Sequence, residues 1–433
     1  MRYYSLNNPD HFSSFEDAVV NGIAPGKGLY FPERIDKLEN EFIKNLRDNS
    51  KDEIALRVIQ PYIGKEIPED ALRDIIRRTL DFEFPVVPVE ADISALELFH
   101  GPTLAFKDVG ARFMAGCLGY FIKKGRIGKL TVLVATSGDT GGAVANGFLG
   151  IDGIDVVVLY PKGKVSDFQE RQLTTLGKNI TALEVDGAFD DCQDMVKKVF
   201  QDPEVTRVRR LTSANSINVA RWLPQMFYYF LAWKQICGQG GKVAFSVPSG
   251  NFGNICAGLL AREMGLPIAH FIASTNSNRV VPDFLKSGAY SPAPTVSTLS
   301  NAMDVGDPSN FIRIMELFDR DFPTLKNNLS SYSFDDRETT KAMHEVYRDS
   351  GYLLDPHGAV GYLGLKKFIT RNKGFHGVFL ETAHPMKFAE TVEQATGVSP
   401  ELPGETVALY QREKQKVPIR DYNELQHFLV NLA

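Results

Sequence analysis

The sequence predicts an α/β protein built on parallel sheets with helices on both faces. From Lys129 onward, short β-branched runs alternate with amphipathic helical runs, and no hairpin signal separates neighbours. Glycine-rich loops, TSGDTGG and SGNFGN, join a strand-like run to a helix-like run. A length of 433 residues, 43% hydrophobic and 23% charged, allows two or three ordinary globular domains, each with its own core.

The same composition narrows the function. A net charge of -5 leaves no basic footprint for nucleic acid. There is no long apolar run to span a membrane, and the N-terminus has no apolar h-region of a signal peptide, so a cytoplasmic location is expected. The cysteines Cys117, Cys192, Cys237 and Cys256 are widely spaced and lack neighbouring ligands at metal spacing. They are read as free thiols, and no metal site is expected.

Residues 1 to about 95 read as a mostly helical region. SSFEDAVVNGI is a helix capped by Ser13 or Ser14, with Phe15, Val19 and Ile23 on one face. APGKGLYFPERI is a turn leading to a short extended piece, and KDEIALRVIQPYI and EDALRDIIRRTLDF are further helices, the last amphipathic. Next comes ELFHGPTLAFKD, followed by the helical pattern VGARFMAGCLGYFIKK. Then follow strand TVLVAT, a small-residue helix, strand IDVVVLY, helix SDFQERQLTTLG, strand NITALEV, helix DDCQDMVKKVF and strand VRRLTSA. SINVARWLPQMFYYFLAWKQI reads as one long helix, before strand KVAFSV, helix ICAGLLAREMG and strand PIAHFIAST. SPAPTVSTLSNAMDVGDPSN has no periodicity. Two helices, ETTKAMHEVYRDSG and HGAVGYLGLKKFI, precede the buried strand GVFLET, and the chain past Pro400 reads as peripheral.

Four loops carry candidate chemistry. Lys107 falls at or near a helix start, on its buried side, where desolvation and the helix dipole both depress an amine pKa. It is a candidate Schiff-base former, although read alone the segment favours a snorkelling surface lysine. In PSGNFGN, Gly250 and Gly253 let the backbone turn tightly before a helix, which suits a phosphate or an ordinary strand-to-helix turn. In ATSGDTGGA, Thr136, Ser137 and Thr140 surround another helix start, fit for a carboxylate or for capping; Asp139 among them must face a hydroxyl or a cation. In SANSINVARW, Asn215, Ser216 and Arg221 suit a second phosphate, or a capped helix with a surface Arg. Thr382 is a neutral hydroxyl ending a strand, with His384 and Lys387 after it.

Together HGPTLAFKD, ATSGDTGGA, SANSINVARWLPQ, VPSGNFGN, TLSNAMDV and TAHPMKF resemble the threonine synthases, pyridoxal-5'-phosphate enzymes of fold type II. The resemblance covers nearly the whole chain. It implies two parallel-sheet α/β domains, a smaller one at 96–215 and a larger one at 216–433 carrying the cofactor-phosphate loop, after the helical region 1–95. It implies that Lys107 holds the cofactor covalently and that Gly250, Asn251, Phe252, Gly253 and Asn254 cradle its phosphate. Thr382 would bond the pyridine nitrogen, and Asp139 would stand beside the ring hydroxyl where relatives often have Asn. Thr136, Ser137 and Thr140 would take the substrate carboxylate, and Asn215, Ser216 and Arg221 its phosphate. The implied reaction converts O-phospho-L-homoserine and water to L-threonine and phosphate, in a monomer or homodimer. A dehydratase-like lyase would share the cofactor loops without needing the second phosphate site, and a silent binding protein would need a damaged lysine or phosphate loop. No role is assigned to His100, Asp304 or His357.

Overall fold

The computed structural model describes residues 1–238 and 240–432. Its strands, in chain order, are β1 (Tyr3–Ser5), β2 (Asn8–Ser13), β3 (Tyr30–Pro32), β4 (Val86–Glu90), β5 (Ile93–Glu97), β6 (Leu130–Ala135) and β7 (Ile154–Pro161). They continue with β8 (Ile180–Val185), β9 (Leu211–Ser213), β10 (Lys242–Pro248), β11 (His270–Thr275), β12 (Leu329–Ser333), β13 (Phe375–Glu381) and β14 (Val417–Ile419). A six-stranded sheet runs β12-β11-β10-β13-β5-β4, parallel except for the antiparallel edge strand β4. A five-stranded sheet runs β14-β8-β7-β6-β9 and is parallel throughout.

The burial of these strands explains the layering. β6 is buried at all six positions, and β7 and β10 at all but one, so apolar side chains on both faces must be covered. Helices cover them on both sides. The helix Lys107–Lys123 turns Val109, Phe113, Met114, Cys117 and Leu118 into the main core. Val196, Val199, Leu425 and Leu429 close the outer face of the smaller sheet. Met343, Val346, Leu365 and Phe368 close that of the larger one.

Strand order locates the chemistry. In the larger sheet the chain leaves β10 towards β11 on one side, and β13 lies on the other. In the smaller sheet β6 stands in the same way between β7 and β9. Each is a topological switch point, where the loops at the carboxyl ends diverge and leave a crevice. The loops after β10 and β6 are PSGNFGN and TSGDTGG.

Several elements differ from the sequence reading. The N-terminal region, read as mostly helical, contains a small antiparallel sheet, β2-β1-β3, and β4 and β5 pair antiparallel. Residues of β4 and β5, at the end of the stretch read as helical, belong to the large sheet. The long helix over 216–236 is interrupted: Val219–Trp222 and Met226–Ile236 flank a 3₁₀ turn, Leu223–Gln225, that contains Pro224. A proline cannot donate to the helical ladder and crowds the preceding turn. The first helix stops at Asn21, where Gly22 takes φ 70°, so Ile23 is 38% exposed instead of sharing the buried face of Phe15 and Val19. Past Pro400 the chain is not merely peripheral, because β14 extends the five-stranded sheet. Cys117, Cys192 and Cys256 are buried and Cys237 half-buried, all as free thiols. Among the described residues no cluster could hold a metal and no helix is long and apolar enough to cross a membrane.

Candidate active site

Lys107 is the first residue of its helix, and the loop before it is stitched to the end of β13. Phe106 N donates to Thr382 O at 2.9 Å, His384 N donates to Leu104 O at 3.0 Å, and Ala105 bridges Ala383. Asp108, the next residue, accepts from the backbone N and the hydroxyl of Thr103, which fixes the HGPT loop. Gly101 is required there, since a Cβ would lie 2.5 Å from Asp108 Oδ2. The Lys107 side chain is 16% exposed, with its Nζ over the Phe106 ring and 3.7 Å from Asp139 Oδ2. Burial holds its pKa below the usual lysine range; the cations Lys387 and Arg221 add to this, and Asp139 opposes it. That is the direction a nucleophilic amine needs.

Asp139 opens the helix that follows β6 and is 5% exposed. The cation it faces is double. Its Oδ1 is 2.9 Å from Lys387 Nζ and accepts from Gln169 Nε2 at 3.0 Å, while its Oδ2 faces Lys107. Burial alone would raise its pKa, but Lys387 and Lys107 outweigh it and hold the carboxyl well below its ordinary value. Lys387 is buried and also donates to Thr103 O at 2.7 Å and to Gln172 Oε1 at 3.0 Å. The sequence reading placed Lys387 in the loop after β13 without giving it a role. Nothing in the short turn PMKF itself marks this lysine out; its partners lie elsewhere in the chain.

The PSGNFGN loop turns at Phe252, whose φ of 61° is left-handed, and enters the helix Gly253–Glu263 without a side-chain cap. A Cβ at Gly250 would sit 2.7 Å from Met303 Cα and 2.8 Å from Ala302 O. The asparagine side chains brace the loop: Asn251 Nδ2 donates to Ser216 Oγ at 2.8 Å, its Oδ1 accepts from Ser309 N, and Asn254 Nδ2 donates to Pro248 O. The backbone N–H groups of residues 250–254 have no partner among the described residues and remain as donors at a helix start.

Arg221 is 3% exposed and packs against Gly110, one turn after Lys107, where a Cβ would come within 2.6 Å of Arg221 O. Its Nη1 donates to Ala214 O and its Nε has no partner. Burial pushes its pKa down to about 10, so it remains a cation at neutral pH. Ser216 Oγ accepts from both Asn251 and Asn310, which makes the SANSIN loop a wall shared with the phosphate loop. Asn310 is held by the fully buried Arg313, which also donates to Tyr30 O and Ile217 O. Thr136 Oγ1 accepts from Gly138 N and Gly141 N and so caps its helix, while Ser137 and Thr140 are half-buried beside it. Asn215 is half-buried on the SANSIN loop, and Thr382 is buried directly after β13.

The residues left without a role in the sequence each have a place. Asp304 accepts from Asn276 at 2.8 Å and from Thr298 Oγ1 at 2.7 Å, ordering the loop that lies on Gly250. His357 Nδ1 is 2.6 Å from Asp355 Oδ1, and its Nε2 accepts from Ala302 N on that same loop. His100 pairs with Glu97 at 2.7 Å and is partly exposed.

Residues 89–374 match the family model described as pyridoxal-phosphate dependent enzyme, the class that this fold and its buried lysine define. Residues 2–80 and 358–429 match models described as threonine synthase N terminus and threonine synthase, C-terminal. The threonine synthase of Haemophilus influenzae is 46% identical over 93% of each chain. The crystal structure of threonine synthase from Escherichia coli matches over 100% of both chains, with a TM-score of 0.92 and 41% identity. The pyridoxal-phosphate-bound threonine synthase from Brucella melitensis matches over 99% of both, with a TM-score of 0.93 and 36% identity. The chain belongs to the threonine synthase family, and its cofactor is pyridoxal 5'-phosphate.

The residues present fit that cofactor. A phosphate needs unpartnered N–H donors at a helix start and a backbone that approaches closely, and residues 250–254 offer both. An aldehyde needs an amine that loses its proton readily, and Lys107 is buried among cations.

Proposed function

We propose that the chain converts O-phospho-L-homoserine and water to L-threonine and phosphate, with Lys107 as its catalytic residue. The observation that carries this reading is one buried, depressed-pKa lysine with Arg221 among its neighbouring cations, together with unpartnered N–H donors on residues 250–254 and an unpartnered Nε on Arg221. Residues 250–254 and Lys107 would hold the cofactor, with Thr382 serving its ring nitrogen and Asp139 its ring hydroxyl. Pyridoxal phosphate, when bound, supplies an electron sink for negative charge developing on the substrate carbons.

The remaining work falls to the chain. Thr136, Ser137 and Thr140, at the start of the helix Asp139–Gly147, orient the substrate carboxylate. Lys107 Nζ takes the proton from the substrate Cα and returns protons to carbon, which a neutral amine in a desolvated site can do. Arg221, with a free Nε, binds the substrate phosphate together with Asn215 and Ser216 and stabilises it as it departs. Burial of Arg221 keeps its charge from being screened by water as the charge on the anion grows.

The small-molecule substrate is the partner this reading requires, served by a cytoplasmic monomer or homodimer. The test is a product assay on the purified protein with pyridoxal phosphate. Phosphate and threonine released in equal amounts from phosphohomoserine, without ammonia release from threonine, is the expected result. Ammonia release from threonine without phosphate release from phosphohomoserine would overturn it.

A further inference from the structure

Two lysines converge on one carboxylate here, and only one of them is needed to hold the cofactor. Asp139 lies 2.9 Å from Lys387 Nζ and 3.7 Å from Lys107 Nζ. The Lys387 side chain is fully buried, with Thr103 O and Gln172 Oε1 completing its three hydrogen-bond donors. Such an ammonium has no free proton to give and no room to leave. Lys107, by contrast, meets the same carboxylate only at 3.7 Å and stays partly exposed. A carboxylate beside a nucleophilic lysine would ordinarily pair with it and keep it protonated.

We propose that Lys387 is a positioning residue: its ammonium claims the Asp139 carboxylate and thereby leaves Lys107 free to act as a neutral amine. The inference rests on the assignment of Lys107 as the cofactor lysine. The charged groups that face Lys107 are Asp139 on the helix after β6, Lys387 in the turn after β13 and Arg221 on the helix Val219–Trp222. Asp108, its neighbour on the same helix, is turned away to Thr103. Lys387 acts on Lys107 in two ways, as a repelling cation and as the group that occupies Asp139.

The sign of the effect follows. Without Lys387, Asp139 turns wholly to Lys107, a repelling charge is lost, and Lys107 holds its proton to higher pH. Without Asp139, an attracting charge is lost and Lys107 gives up its proton at lower pH. The probe is pyridoxal phosphate itself. Apo protein is mixed with it across a pH series, trapped with borohydride at timed intervals, and the label on Lys107 is read by peptide mass. Thermal melts of each apo variant report folding separately.

Lys387→Met is expected to raise the midpoint of the capture profile by about 1 pH unit, which is tenfold slower capture at a pH below both midpoints. Asp139→Asn is expected to lower the midpoint. In the Asp139→Asn background, Lys387→Met is expected to shift the midpoint less than in the wild type, since no carboxylate remains to be released. Lys387→Gln, neutral but able to donate to Thr103 O, moves the midpoint in the same direction and serves if the Met variant melts below the working temperature. An unmoved or lowered midpoint in the Lys387 variants overturns the proposal. So does an equal shift with and without Asp139, which would mean that Lys387 does not act through it. Label on a lysine other than Lys107 in the wild type would instead overturn the functional reading.

Discussion

At the scale of single residues, the site is a matter of which polar groups are already engaged and which are left over. Arg221 spends one nitrogen on Ala214 O and leaves Nε unpaired, so a buried guanidinium keeps a donor to spare. Arg221→Ala is therefore expected to lower kcat/KM by about 100-fold or more while leaving the cofactor bound. Steady-state kinetics together with the visible absorbance of the loaded protein checks both halves. Gly250 makes the complementary point. Its missing Cβ is where the backbone of Ala302 and Met303 passes, and backbone cannot move aside as a side chain can. Gly250→Ala is expected to weaken cofactor binding by about tenfold or more, at a packing cost of about 1–3 kcal/mol. Titration of apo protein with pyridoxal phosphate measures it.

Residues of this kind were legible in the sequence to different degrees. The glycines and Lys107 stand in short motifs whose local geometry carries their meaning. Lys387 does not. Its role depends on Asp139, which lies far away in the chain on the other sheet, and nothing local distinguishes it from a lysine in any short turn. The same holds for Arg313, whose buried charge is met by carbonyls of the remote residues Tyr30 and Ile217 as well as by Asn310.

At the scale of elements, the end of β13 and the cap of the helix Pro356–Arg371 bring together a buried acid pair, Glu381 and Asp355. Glu381 ends β13 with both carboxylate oxygens unpartnered, and a Cβ on Gly358 would fall 2.2 Å from them. Burial, with Asp355 and Glu97 nearby, pushes its pKa well above the usual range, so the folded protein keeps Glu381 protonated where the unfolded chain ionises it. The sign is then fixed. Between the ordinary glutamate pKa and the raised native value the native state binds the extra proton, and stability falls as pH rises, by about 1.4 kcal/mol per unit at most. Glu381→Gln, neutral at every pH and able to donate to Asp355, removes that slope. Denaturation series at pH 5 and pH 8 are expected to show the variant gaining on the wild type as pH rises. A constant difference would mean that Glu381 is ionised in the fold.

Elements also show where periodicity fails. Buried parallel strands such as β6 and β7 are apolar along their whole length and could be read directly. β1, β3 and β14 have three residues each, too few for any pattern to show. β4 carries Pro88, which is tolerated only because the strand forms the sheet's edge.

At the scale of the whole molecule, the account reduces to two parallel sheets that each turn a switch point toward the same lysine. β6 and β10 deliver one glycine-rich loop apiece, while the end of β13, with the loop stitched to it, sets Lys107 between them. The alternation of strands and helices made this architecture readable in advance. The way sheet membership departs from chain order was not, because β5 and β14 pair with strands remote in sequence. The central claim is that one particular amine in this arrangement carries the cofactor. Borohydride reduction of the loaded wild-type protein, followed by peptide mapping, tests it most directly. The account predicts a single pyridoxyl label on Lys107 and none in the Lys107→Ala protein; a label on Lys387, the other lysine against Asp139, would contradict it.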